Sequence, residues 1–482
     1  MKKMALFLSI TLILVMFVPL LPKTGIQEAS TQPQQTSQLG SRYIISYDAQ
    51  NTNDTAVIDA VIRAGGSVVN DYADISTLIV DSANPNFSAE MRATPYAHTA
   101  PDMVVNWLSP SDMQAGEIMS FNVPPPTAQG APQNASLLAF QWNMFRTQAN
   151  LAWNTALGNS TVKVAVLDTG ICAHHQDMVG KVRADLSRSF IAEPSSCGPT
   201  VAPACVGCPD WEDRQFHGTH VAGIISSNNL GTASVAPNVQ LIAVKVLNCT
   251  GSGPFSAIIN GIKYAADSGA EVINMSLGAF FSRIFLQDPG TVALVESVAK
   301  AIEYATKNKG CLVVSAAGNN GANMDTLPGN KFINIPSQAG GGGLSIASTT
   351  VADLRSTFSN FGLSGESMTA PGGGTPIGGF PNNNFNNFIL SPCSAHSVQV
   401  PACSPGTFYL FVQGTSQATP HVAGAAALVI SRLGPPGIPP RGSYLTPLIT
   451  RDRLLTGADD LGVKGPDPIY GAGRLNVNRA VQ

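Results

Sequence analysis

Charge is scarce in this chain. Only 12% of its 482 residues are Asp, Glu, Lys or Arg, about half the usual share for a soluble protein. Twenty-seven Lys and Arg stand against 30 Asp and Glu, for a net charge of −3. No basic footprint is therefore available for nucleic acid or for an anionic membrane surface, and nucleic acid is not expected as a partner. A second CxxC is also missing. Cys205-Val206-Gly207-Cys208, with Cys197 nearby, could begin a zinc cluster, but the other half of such a site is absent. No Ala-x-Ala cleavage site follows the first apolar run, Ala5 to Leu21, which sits behind Lys2 and Lys3 and is broken only by Ser9, Thr11 and Pro19. This run resembles a secretory signal and is also long enough to stay as an anchor. Residues 1–27 are thus expected to direct export, whether removed or retained as a membrane anchor. Export places the eight cysteines in an oxidising setting where disulfides form. Cys393 with Cys403 closes one loop and is the easiest pair to propose, and no free thiol is expected.

Hydrophobic residues make up 44% of the chain, ample for one large domain and at least one small one. Residues 28–40, rich in Gln, Ser and Thr, read as a flexible leader. Within 41–108, strand-like Arg42 to Tyr47, Ser67 to Tyr72, Thr77 to Val80 and Met103 to Val105 are interleaved with helical spacing over Ala56 to Ile62 and Phe87 to Met91. That βαββαβ order predicts a small α+β, ferredoxin-like unit. Residues 109–136, with Pro124-Pro125-Pro126, Gly130 and Pro132, read as a linker. Over 137–482, apolar strand runs alternate with helical patterns, beginning at Val162 to Leu167 and ending at Gly414 to Arg432. The prediction there is α/β, a mostly parallel sheet with helices on both faces. Residues 376–407, rich in Asn, Gly and Phe, break the alternation and read as a surface insertion that shapes access to the site.

Three segments carry chemistry. Val164-Ala165-Val166-Leu167-Asp168-Thr169-Gly170 reads as a buried strand that ends on a carboxylate. His217-Gly218-Thr219-His220-Val221-Ala222-Gly223 reads as a helix start with an imidazole. Gly414-Thr415-Ser416-Gln417-Ala418-Thr419-Pro420-His421 turns into the apolar helical run Ala425 to Ile430. A serine at a helix start is commonly only a cap. Its hydroxyl there is also exposed to an anion-favouring end, which suits a nucleophile. Asp, His and Ser in this order, each at the end of an element of an α/β sheet, point to a nucleophilic triad.

With Val272-Ile273-Asn274-Met275-Ser276-Leu277-Gly278 and Val313-Val314-Ser315-Ala316-Ala317-Gly318-Asn319 added, the chain from about Gln141 onward resembles the subtilases, the subtilisin-like serine endopeptidases. The resemblance implies that His217 acts as the base, Asp168 as its orienting partner, Ser416 as the nucleophile, and Asn319 as the side-chain donor to the oxyanion. Ser276, Leu277 and Gly278 with Ala316, Ala317 and Gly318 would flank the substrate strand, near Asn320 and Asn334. It also makes 41–108 an inhibitory prosegment cut from the domain between Leu108 and Leu138. His220 is then structural, His421 is packed within its helix, and His174 and His175 carry no assigned role. The chemistry needs no cofactor. Asp177 matches a family calcium ligand in its spacing from Asp168, although the partner loop from Ser226 to Thr232 departs from the family pattern. Expected partners are protein or peptide substrates and the prosegment itself, for a secreted or extracellular monomer. Two alternatives compete. Asp168-Thr169-Gly170 resembles an aspartic-protease signature, but its only partner candidate, Asp267, ends a helical pattern. A catalytically inactive subtilase scaffold used for binding or adhesion is the other, against which stand four intact catalytic positions.

Overall fold

The structure is a computed structural model that describes residues 36–110, 112–113, 118–120, 129–197, 208–374, 387–403, 407–433 and 445–482. Residues 1–27, Cys205 and parts of the linker and of the 376–407 segment lie outside the described residues. Among the described residues no helix is long and apolar enough to cross a membrane.

The N-terminal unit has the expected βαββαβ order. Its sheet runs Gly66–Tyr72, Thr77–Ser82, Thr36–Tyr47, Ala97–Asn106, with antiparallel pairing throughout. Alternation along one strand divides two cores. Tyr43, Ile45 and Tyr47 pack with Val57, Val61, Phe87 and Met91. Ile44, on the opposite face, joins Ala100 and Val105 in the core of the large domain. The helix Asp54–Arg63 starts where Asn53 accepts a hydrogen bond from the Ala56 N–H.

Polar contacts fix how the small unit sits. Lys300 Nζ donates to Ser46 Oγ at 2.7 Å and to the Tyr47 carbonyl at 2.8 Å, and Lys263 pairs with Asp74 at 2.7 Å. Asp102 is fully buried and accepts the Ser256 N–H at 3.1 Å, at the start of the helix Phe255–Asp267. A carboxylate suits a helix N-terminus. Burial nonetheless pushes Asp102 up to about 6, against the bonds from Ser256.

The large domain is built on a seven-stranded sheet in the order Met368–Pro371, Leu344–Thr349, Leu312–Ala316, Val272–Met275, Lys163–Asp168, Gln240–Lys245, Arg188–Ser189, parallel at every pairing. Helices cover both faces. Val164 and Val166 face the core that contains Val221, Ala222, Ala418 and Val422. Ala165 and Leu167 face the one that contains Ile258, Ile259 and Ile262. This double burial is why the strand reads as an unbroken apolar run. After Lys163–Asp168 the chain forms Arg188–Ser189 and then Gln240–Lys245 on one side, and returns to Val272–Met275 on the other. Asp168 therefore lies at a switch point, where α/β sheets open a crevice at their strand ends.

Two parts of the sequence reading are corrected. The 376–407 segment is more than a loop: its described part forms the strand Ile389–Pro392, paired with Phe408–Val412, and Ile118–Ser120 from the linker adds to the same small sheet. Where the linker ends, the N–H groups of Ser136 and Leu137 donate to the carbonyls of Leu230 and Gly231 in the loop after the helix His217–Ile225.

Cysteine usage is mixed. Cys393–Cys403 and Cys197–Cys249 are disulfides, and Cys208 is also disulfide-bonded. Cys172 and Cys311 are buried with free thiols, which corrects the expectation of none. Burial raises both thiols, Cys311 to about 12, so neither is a nucleophile at neutral pH. Peptide mapping after alkylation should find both unlabelled in the native protein and both labelled after unfolding.

Candidate active site

Asp168 ends its strand fully buried, and its side chain faces His217, the first residue of the helix His217–Ile225. His217 Nδ1 lies 2.9 Å from Asp168 Oδ1 and 3.0 Å from Oδ2. Burial alone would lower the pKa of this imidazole, but the charge and hydrogen bond of Asp168, with Asp112 and Asp213 beyond, hold it above the ordinary value. Its other nitrogen, Nε2, is buried with no hydrogen-bond partner among the described residues.

The loop that delivers His217 is organised by a residue the sequence reading missed. Asp213 is fully buried and accepts five hydrogen bonds: from Thr169 Oγ1, the N–H groups of Gln215 and Phe216, and both the N–H and Oγ1 of Thr219, at 2.6 to 3.2 Å. Thr169 follows Asp168 directly, so one carboxylate ties together the two segments that must present Asp168 and His217. Gly170 makes room for this approach. Its φ is +109°, and a Cβ there would lie 2.3 Å from the Trp211 carbonyl.

Ser416 stands at the second position of the helix Thr415–Leu433. It is bound to Ser276 in both directions. Pro420 has no N–H to give the Ser416 carbonyl, so that carbonyl accepts from Ser276 Oγ at 2.8 Å. Ser416 Oγ in turn donates to the Ser276 carbonyl at 3.0 Å, and must leave it before it can donate to His217. The sequence places this hydroxyl in the open, but it is buried here. Asn319 is turned toward the same helix end. Its Oδ1 accepts from the Thr415 N–H and Oγ1, both at 2.9 Å. Its Nδ2 donates to a carboxylate, that of Asp112, at 2.8 and 2.9 Å, and to Ser109 Oγ at 3.1 Å.

The N-terminal unit lies along the adjacent edges. Trp107 donates its N–H to the Gly251 carbonyl and accepts from the Gly278 N–H, both at 3.0 Å. The strand before it pairs antiparallel with Ser252–Pro254, an edge the sequence reading did not single out. Trp107 and Leu108 are fully buried there. Asn334 sits between the two expected flanks: it donates to the Ala316 carbonyl at 3.1 Å and lies against Gly278. Asn360, also missed, donates to the Ala317 carbonyl at 2.9 Å. Gly318, at φ +100°, has no room for a Cβ beside it.

The rival histidines are engaged elsewhere. His220 Nε2 faces the carbonyls of Ile389 and Leu410 at 3.1 and 3.0 Å, pinning the small sheet to the helix. His421 uses both nitrogens, on the Gln417 carbonyl and Asn143. Burial lowers them to about 3 and about 4, so both are neutral at working pH. Asp267 lies at the end of its helix in ion pairs with Lys263 and Lys309. Asp177 does not suit calcium. Its oxygens accept from the N–H groups of Leu230, Gly231 and Thr232 and from the Tyr409 hydroxyl, at 2.7 to 3.1 Å. These donors take up the carboxylate, and a cation would have to displace them.

Similarity to known proteins agrees with the geometry. The sequence profile of the subtilase family matches residues 159–473. The chain is 33% identical over 380 residues to an alkaline protease of Alkalihalobacillus alcalophilus, covering 78% of each. It is 34% identical over 343 residues to subtilisin Savinase of Lederbergia lenta, covering 71% of this chain and 98% of that one. Among solved structures, an epidermin leader peptide processing serine protease from Staphylococcus aureus shares the fold with a TM-score of 0.68 at 22% identity, over 93% of this chain and 98% of that one. The strand-end carboxylate, the helix-start imidazole and the serine locked to its neighbouring edge thus sit in a protein that belongs to the subtilase family and is a serine endopeptidase.

Proposed function

We propose that this protein is an exported endopeptidase made as a zymogen, in which Asp168, His217 and Ser416 form the triad and residues 41–108 are its inhibitory prosegment. The observation that carries the triad is the buried contact of His217 Nδ1 with both oxygens of Asp168, which leaves Nε2 without a partner and available as base. In the reaction Nε2 takes the Ser416 proton as Oγ attacks the peptide carbonyl. Asp168 stabilises the imidazolium formed, and the proton then passes to the leaving amine. Water repeats the cycle on the acyl-enzyme.

Support for Asn319 as oxyanion donor comes from what its amide holds. A carboxylate oxygen of Asp112 resembles a developing oxyanion in charge and hydrogen-bonding demand, and Nδ2 donates to it at 2.8 Å. The same contact supports the zymogen reading, because a segment just beyond Leu108 occupies a donor that catalysis would need. The strand Ala97–Asn106 on the Ser252–Pro254 edge, continued by Trp107 at Gly278, is how an extended peptide would be held. Asn320 and Asn334 give the flanking pocket no charge, which disfavours a site dedicated to Lys or Arg.

Ser416→Ala should abolish casein hydrolysis while leaving the melting temperature nearly unchanged, and a fluorophosphonate should label Ser416 alone. Normal turnover by the folded variant would end the triad assignment. Asn319→Leu should lower kcat by about 100- to 1,000-fold with KM little changed, the magnitude measured for such a donor in subtilisin rather than one derived from this geometry. A loss confined to KM would make Asn319 a positioning residue instead. N-terminal sequencing should find the Ser416→Ala protein uncut and the wild type processed between Leu108 and Leu138, with isolated residues 41–108 inhibiting the mature fragment in trans. Asp112→Ala should hasten conversion by freeing Asn319. Fully active enzyme made from Leu138 onward and indifferent to added prosegment would reduce residues 41–108 to an appended domain.

A further inference from the structure

Three segments around the active site bring a second group of ligand-type side chains together. His174 lies in the loop after Asp168, Glu212 in the loop before His217, and His396 in the segment between the paired strands Ile389–Pro392 and Phe408–Val412. One ligand atom from each, with Cys208 Sγ, lies within 4.8 Å of all the others. His174 Nδ1 is 3.8 Å from Glu212 Oε2, and His396 Nε2 is 3.8 Å from Glu212 Oε1. Two atoms bound to one tetrahedral zinc at about 2.0–2.1 Å stand about 3.3 Å apart, so each imidazole would close on Glu212 by about half an ångström, and the two imidazoles on each other by at most about 1.5 Å, to complete the site.

The carboxylate is the second observation. Glu212 is 3% exposed. The Cys172 thiol and the Ala173 N–H face it, but among the described residues neither oxygen has a partner at hydrogen-bond geometry. Buried carboxylates are otherwise satisfied by donors, by a cation or by taking up a proton; Asp213 beside it is satisfied by five donors, whereas burial pushes Glu212 up to about 8, a shift that a bound cation would reverse. Imidazole from two sides and no cradle of N–H groups point to a metal rather than an anion. Two imidazoles and one carboxylate suit zinc and its neighbours, whereas calcium and magnesium prefer oxygen throughout. His174 is exposed and offers a way in. Cys208 Sγ, 3.9 Å from His396 Nε2, is in a disulfide and supplies no thiolate. The other cluster of this kind, Glu193 with Cys197 and Cys249, is closed by the disulfide between its cysteines and by the Glu193–Lys245 ion pair.

We propose that His174, Glu212 and His396 bind one divalent transition-metal ion of the zinc class, with water completing its coordination. The ion would tie the segment before the nucleophile helix to the two loops that present Asp168 and His217. Its role is to brace the site; it takes no part in peptide hydrolysis.

The test uses the purified full-length chain, stripped with chelator, then dialysed against Zn²⁺ for elemental analysis and titrated with Co²⁺ by visible absorption. One equivalent of zinc should be retained, the cobalt spectrum should be that of a four- or five-coordinate site, and Zn²⁺ should raise Tm. His174→Ala, which truncates an exposed side chain, and Glu212→Gln, which keeps the shape without the charge, should each weaken binding at least tenfold and remove the Tm gain. Their metal-free melting temperatures should match the parent. Zinc retained well below one equivalent would overturn the proposal. So would one equivalent bound with unchanged affinity in both variants, since that places the ion elsewhere. Both readouts are independent of turnover, so the result stands apart from the triad assignment.

Discussion

A carboxylate held without water at the end of a fully buried strand is the constraint around which the rest is arranged. Asp168 has no solvent to share its charge, so the protein must supply every compensation. It accepts the Thr169 N–H at 2.7 Å and holds His217 on both oxygens. A desolvated pair of this kind is costly unless its geometry is fixed. That requirement explains Asp213, which locks Thr169 to Thr219 and so fixes the approach of strand end and helix start. It also explains why a glycine follows Thr169, where a Cβ would meet the Trp211 carbonyl. The imidazole is raised by its carboxylate neighbours while the two other helix histidines are kept neutral chiefly by burial, His220 also by the neighbouring His217 and His421. One histidine is thereby set apart electrostatically from two that resemble it in sequence.

Edges rather than pockets organise the surface beside this pair. The N-terminal unit contributes a strand to Ser252–Pro254 and buries Ile44, Ala100 and Val105 against the helical face of the large domain. Its polar anchors, Lys300 on Ser46 and Tyr47 and Asp102 on Ser256, are placed around that apolar patch. The small sheet on the other side is fastened by His220 and by Ser391 Oγ, which donates to the His220 carbonyl at 2.7 Å. Both additions therefore grip helices that lead to the site.

What the sequence disclosed follows from burial. Lys163–Asp168 is legible because both its faces meet apolar cores, and the N-terminal unit is legible because its strands alternate. Leu344–Thr349 belongs to the same parallel sheet yet passed unnoticed, since Ser345 and Ser348 interrupt its apolar run and are buried on partners outside the strand, Gly365 and Ser356. Met368–Pro371 is too short and too mixed to show a period. Among site residues, Asp168, His217, Ser416 and Asn319 announce themselves by local motif. Asp213, Asp112 and Asn360 do not, because each acts through groups that only the fold brings near. Asp177 misled for the converse reason: its spacing fits a metal ligand, but three successive N–H groups and a tyrosine hydroxyl reach it first.

The proline in the helix Thr415–Leu433 limits how such a protein can change. Because Pro420 leaves the Ser416 carbonyl to Ser276, the backbone that carries the serine is bolted to the edge that would hold a peptide. A mutation that shifts this edge to welcome a bulkier chain drags the serine with it, and one that retunes the serine disturbs the edge. Under the proposed assignment, breadth of diet and speed of cutting would be inherited as a single trait. Variation is freer at the far rim, in the hairpin and its loop, where altered shape leaves that bolt untouched.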